Sequence, residues 1–206
     1  KYTMTSNTGE VWVMLLGPLL GMPLPLVPLQ ILWINLVTDG LPGLAMAVEP
    51  SERDTMSRPP RNPQEPIFDA SMILHILVVG LVMGLVTLAA GYWYWMEDRR
   101  TEYEASWGTI VFTVLTLSQM GHALAIRSWR DSLFTIGLLS NIALLGAVAL
   151  TFSLQMAVIY LTPLQKIFYT ESLALRDLAM CILLSAIVFW AVELEKLWIR
   201  GRSKST

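Results

Sequence analysis

From Ala70 to Met96 the chain carries no Asp, Glu, Lys or Arg. The hydrocarbon core of a bilayer takes roughly 20 apolar residues as a helix, because away from water the backbone must satisfy its own hydrogen bonds. This run is therefore a spanning helix with room for tilt, and the rest of the chain must share its solvent. A second uncharged run, Ser132 to Gln165, is too long for one ordinary span. It reads as a helix to about Leu161 and then a loop broken by Pro163. Composition agrees: of 206 residues, 54% are hydrophobic and 15% charged, far from an ordinary soluble domain. The net charge of -2, with no basic cluster, gives no nucleic-acid signal. The single cysteine, Cys181, permits no internal disulfide and reads as a packing residue.

The fold expected is an all-α membrane protein, a six-helix transmembrane bundle whose partner is the lipid bilayer. Residues 1–48 form a first hairpin, with segments from about Tyr2 to Gly21 and Leu29 to Val48 joined by a turn that Pro23, Pro25 and Pro28 force out of helix. Residues 49–69 form a Pro-rich aqueous loop holding Pro50, Pro59, Pro60, Pro63 and Pro66. Residues 70–206 hold four further helices and a short tail. In the first of these, Gly80 and Gly84 make a small-xxx-small packing signal, and Tyr92 to Trp95 an interfacial aromatic belt. The next runs from about Ala105 to Ile126. The last has a charge-free part, Leu178 to Val192, short enough to need snorkelling by Lys196 and anchoring by Trp198.

Six spans put both termini on one side. That side collects Lys1, Arg53, Arg58, Arg61, Arg127, Arg130, Lys196, Arg200, Arg202 and Lys204 of the 14 basic residues, leaving Arg99, Arg100, Lys166 and Arg176 opposite. Both termini and the Pro-rich loop are therefore expected in the cytoplasm. No cleavable signal peptide is visible, and the start at Lys1 reads as cut from a longer protein.

Within the first hairpin, Trp33 to Pro42 places Asn35, Thr38 and Asp39 at i, i+3 and i+4, one face of a regular helix. Gly40 and Pro42 then weaken helical bonding where backbone carbonyls are also candidate ligands. An acid near the bilayer centre costs about 2.5–3.5 kcal/mol on insertion scales, so Asp39 reads as functional rather than as helix-joining glue. On the first segment Asn7 and Glu10 stand at i and i+3. Carboxylate, amide and hydroxyl oxygens suit a hard cation such as Ca²⁺, Mg²⁺ or Na⁺. Two buried carboxylates, once empty, would tend to take up protons, which raises proton countertransport.

Asn35-Leu36-Val37-Thr38-Asp39-Gly40-Leu41-Pro42, with Ala45 to Pro50 and Asp54 to Pro60 behind it, resembles the type II P-type ATPases of the calcium-pump group. Ser6-Asn7-Thr8-Gly9-Glu10-Val11 resembles their fifth transmembrane helix, so the chain aligns as helices five to ten, the carboxy-terminal membrane half. The resemblance implies cation ligation by Asn7, Glu10, Asn35, Thr38 and Asp39. The family's eighth helix supplies an acid where this chain has Gln119, which keeps a carbonyl oxygen and loses the charge. Gln119 thus stays between a sixth ligand and a helix-helix hydrogen bonder, and a complete second calcium site is not expected. His122, one turn on, reads as a packing histidine, and His75 carries no site expectation. Thr8-Gly9-Glu10 mimics the family's actuator motif but lies in a membrane helix.

No Asp-Lys-Thr-Gly phosphorylation motif occurs. The chain is therefore not expected to hydrolyse ATP alone; ATP and Mg²⁺ belong to the parent protein, whose amino-terminal membrane helices and cytoplasmic domains are the expected partners. The parent reads as an ATP-driven pump exporting Ca²⁺ from the cytoplasm. The alternatives are a pump for Mn²⁺, Mg²⁺ or Na⁺, a secondary cation exchanger, for which no inverted repeat is found, and a non-transporting scaffold.

Overall fold

The structure is a computed structural model and describes residues 1–50, 68–98, 107–128 and 131–203. The Pro-rich loop, apart from its ends, and its Arg58 and Arg61 lie outside the described residues, as does most of the charged loop after Glu97. The described chain folds as α1 (Tyr2–Leu19), α2 (Pro28–Trp33), a π-helical segment (Ile34–Thr38), α3 (Gly40–Met46), α4 (Ala70–Asp98) and α5 (Trp107–Ala125). Then come α6 (Leu133–Ile136), a 3₁₀ turn (Leu138–Ser140), α7 (Ile142–Tyr160), α8 (Thr162–Phe168) and α9 (Leu175–Ser203). This is an all-α membrane protein. Among the described residues four helices are long and apolar enough to cross a bilayer, within α4, α5, α7 and α9. The first hairpin falls short of that measure for a reason: α1 is diluted by Thr3 to Thr8 and Glu10, and its partner is broken by a π segment.

α5 is the axis of the bundle. It packs against α4, α7 and α9 and is touched by α1 and the π segment. Because protein rather than lipid surrounds it, α5 buries Thr109, Thr113, Thr116, Ser118, Gln119 and His122 beside Ile110, Val111, Phe112 and Leu115. Outer helices such as α7 instead show Ile142, Leu150 and Phe152 to the surroundings.

α1 lies on α4 through the expected glycines. A Cβ on Gly80 would sit 2.7 Å from Thr8 Cγ2, one on Gly84 2.7 Å from Trp12 Cβ, and one on Gly9 2.9 Å from Met83 Sδ. Gly84→Val should therefore separate the helices, costing about 1–3 kcal/mol as overpacking does. The check is thermal unfolding of the solubilised full-length protein, with a Tm several degrees lower; an unchanged Tm would show that the helix pair gives way freely.

Three local expectations are corrected. The uncharged run after Ser132 starts its long helix only at Ile142, because Gly137 takes φ +86° and Asn141 caps the helix, accepting from Leu144 N at 2.9 Å. Pro163 opens the short helix α8 instead of making a loop, since the first turn needs no N–H from it. Lys196 does not snorkel: it is buried, and its Nζ donates to Glu193 Oε1 at 3.0 Å and to Asp131 O at 2.9 Å. That pairing lets α9 run on through its charged end, and Glu193 also accepts from Ser132 Oγ at 2.5 Å.

The second segment is pinned at both ends. Gln30 Nε2 donates to Phe168 O at 2.9 Å, and Trp33 Nε1 to Gln155 Oε1 at 3.1 Å. At the far end Arg127 grips Glu49 Oε1 through Nη2 and Nε at 2.7 and 3.0 Å, while Asn141 Nδ2 donates to Glu49 Oε2 at 2.6 Å.

Candidate cation site

Between those anchors the segment does not run as one regular helix. The Asp39 amide donates to Ile34 O at 2.9 Å, a five-residue step, and the extra residue in that turn rotates the chain. Thr38 and Asp39 are buried, while Asn35 turns to an exposed position. The single shared face expected from regular spacing is corrected accordingly. Pro42 has no N–H, so the Thr38 carbonyl lacks its i+4 helical donor. Tyr2 OH fills that place from α1, donating to Thr38 O at 2.9 Å.

Glu10 is buried and stands between two amides from other helices. Asn35 Nδ2 donates to its Oε2 at 3.2 Å and Gln119 Nε2 to its Oε1 at 3.1 Å. Asn35 reaches it while also donating to Ile31 O at 3.0 Å. Glu10 and Asp39 lie within electrostatic reach of each other, and the Tyr2 and Ser6 hydroxyls face Asp39. Tyr2 and Ser6 were absent from the sequence expectation. Their signal was legible: with Glu10 they stand at i, i+4 and i+8, one stripe of α1.

The remaining oxygens are the telling part. Asn7 Oδ1, Thr38 Oγ1, both Asp39 carboxylate oxygens, Gln119 Oε1 and Ser6 Oγ are buried with no hydrogen-bond partner. A buried unsatisfied acceptor costs about 1–3 kcal/mol, and a charged one more. An all-oxygen set of this kind fits a hard cation. Among the described residues no group of three or more His, Cys, Asp or Glu side chains is gathered for a metal. The charge on offer is therefore two carboxylates, with neutral oxygens completing the set.

The chain is thus a set of membrane helices with buried, unpartnered oxygens among them. It belongs to the family described as "Cation transporting ATPase, C-terminus", matched over residues 23–198. It is 41% identical over 187 residues to "Calcium-transporting ATPase" of Bacillus subtilis (strain 168), covering 91% of this chain and 21% of that protein. It is 35% identical over 204 residues to "Calcium-transporting ATPase type 2C member 1" of Homo sapiens, covering 99% and 22%. Against "Calcium-transporting ATPase 1" of Bacillus cereus the figures are 34% over 209 residues, 95% and 23%. The chain thus spans about a fifth of the length of these relatives.

Proposed function

We propose that this chain is the ion-carrying membrane part of an ATP-driven pump that moves Ca²⁺ out of the cytoplasm, with both termini on the cytoplasmic side. The observation that carries the reading is the cluster of buried, unpartnered oxygens around Glu10 and Asp39, in a chain whose relatives are named calcium-transporting ATPases. Asp39 and Glu10 supply charge, and Asn7, Asn35, Thr38 and Gln119 supply neutral oxygens. Asn35 and Gln119 now turn their amide nitrogens to Glu10. When Ca²⁺ enters, those amides rotate to present oxygen. When it leaves, two facing buried carboxylates repel, and protons are the counter-charge at hand, so the pump exchanges Ca²⁺ for protons. ATP and Mg²⁺ act in the parent's cytoplasmic domains, and the Pro-rich loop at 49–69 relays their state to α3 and α4.

The test is uptake by the full-length protein in sealed vesicles across Ca²⁺, Mn²⁺, Mg²⁺ and Na⁺, with and without ATP. ATP-dependent Ca²⁺ uptake is expected. Movement of another ion alone would reassign the cargo, and uptake driven by a gradient without ATP would make the protein an exchanger.

A further inference from the structure

Little within this chain holds α3 by apolar contact. Of Gly40–Met46 only Pro42 and Ala45 are buried, Leu44 and the following Val48 are exposed, and a Cβ on Gly43 would meet nothing within 4 Å. Asp39 is nevertheless tied to this helix, because the Gly43 amide donates to Asp39 O at 3.0 Å. A displacement of α3 therefore carries Asp39 with it. What fixes α3 is polar and lies at its far end. Asn141 Nδ2 donates to Ala45 O at 3.2 Å as well as to Glu49 Oε2. Arg127, whose side chain is 1% exposed, uses its fork in two directions. Nε and Nη2 hold Glu49 Oε1, while Nη1 donates to Gly137 O at 3.0 Å and Nη2 also to Ser140 Oγ at 2.5 Å. Ser140 Oγ in turn donates to Gly137 O at 2.8 Å. Both Glu49 carboxylate oxygens and all three guanidinium nitrogens thus have partners, and Gly137, Ser140 and Asn141 belong to the connection that leads into α7. A buried ion pair is weak evidence for stability, since desolvation offsets much of the attraction. A planar fork with fixed donor directions does specify position.

We propose that Arg127 is a positioning residue of the cation site: by holding Glu49 against the end of α5 it fixes α3, and through α3 the placement of Asp39 relative to Glu10. Arg127 stands just past the end of α5, two helical turns after Gln119, whose Nε2 donates to Glu10 Oε1. The two carboxylates are thereby referred to one helix, Glu10 through Gln119 and Asp39 through Arg127, Glu49 and α3. Arg127 touches no ion in this scheme. The proposal rests on the reading of Asp39 and Glu10 as the charged Ca²⁺ ligands and adds how their relative placement is set. A staple that only held the fold together would lower stability and leave the Ca²⁺ affinity of the folded protein unchanged, so the test reads affinity separately from the maximum.

Phosphoenzyme formation from ATP is measured against Ca²⁺ concentration in the full-length protein. Arg127→Gln should raise the half-maximal Ca²⁺ concentration roughly fivefold or more, since ligands must be held within about 0.5 Å of the productive geometry. The phosphoenzyme level at saturating Ca²⁺ should stay close to that of the wild type. Arg127→Lys should fall between the two, because an ammonium keeps the pairing with Glu49 but lacks the fork that reaches Gly137 O and Ser140 Oγ at the same time. Glu49→Gln should shift the dependence in the same sense as Arg127→Gln, and the double variant no further than the larger single shift, because both remove one shared contact. Wild-type Ca²⁺ dependence in Arg127→Gln would overturn the proposal, and so would a lower maximum at unchanged affinity or fully additive shifts in the double variant. A wild-type protein whose phosphoenzyme does not respond to Ca²⁺ removes the calcium reading itself, and this proposal with it, before any variant is made. Should Arg127→Gln not accumulate in membranes, Arg127→Lys and Glu49→Gln carry the same expected and contrary results.

Discussion

Asp39→Asn in the full-length protein is expected to abolish ATP-dependent Ca²⁺ uptake and to weaken Ca²⁺ activation of phosphoenzyme formation at least a hundredfold, about 2.7 kcal/mol. The substitution keeps the size of the side chain and removes one unit of charge from a position that is 3% exposed. A carboxylate about 2.4 Å from a divalent ion gains on the order of 14 kcal/mol of Coulomb energy at an effective dielectric of about 20. Most of that offsets desolvation of ion and acid, yet losing it still outweighs what a neutral amide oxygen restores. Asn keeps one oxygen toward the Tyr2 and Ser6 hydroxyls that face Asp39, so folding should survive. Wild-type Ca²⁺ dependence in Asp39→Asn would make the residue helix-joining glue and would favour the scaffold reading.

Glu10→Gln is the second large effect, and its cause differs. Glu10 accepts from the Asn35 and Gln119 amide nitrogens at once, and a glutamine there must turn its own N–H₂ toward one of those donors. The variant should lose Ca²⁺ affinity at least a hundredfold through the missing charge. It should also lose stability by about 1–3 kcal/mol through the mismatched donors, read as a lower Tm without Ca²⁺. Gln119→Leu provides the contrast: it removes one neutral oxygen and one donor, so affinity should fall by about tenfold. Equal effects in the two variants would mean that Glu10 contributes its hydrogen bonds and not its charge.

Much of the candidate site was legible because intramembrane polar residues are rare and costly. Asn7, Glu10, Asn35, Thr38 and Asp39 stood out against an apolar background, and Tyr2 and Ser6 stood in register with Glu10 on one stripe of α1. The rotation of Asn35 was not legible, because the five-residue step from Asp39 N to Ile34 O leaves no mark in residue spacing. Lys196 misled for a similar reason: near a helix end it reads as a snorkelling cation, until Glu193 and the Asp131 carbonyl are brought to it.

Charge-free length, proline punctuation and the oxygen-bearing stretch by themselves determined a helical membrane protein, its close glycine-mediated helix pair and most residues of the candidate cation site. These follow from local rules: backbone bonding without water, helical periodicity and the cost of burying charge. Only the tertiary structure decided that Gln119 meets Glu10 across 109 positions, and that His75 and His122, 47 positions apart, face each other. Sequence spacing says which residues share a face of one helix, but which faces meet is fixed by packing around α5, where Gly80, Gly84 and a polar axis let helices and side chains approach.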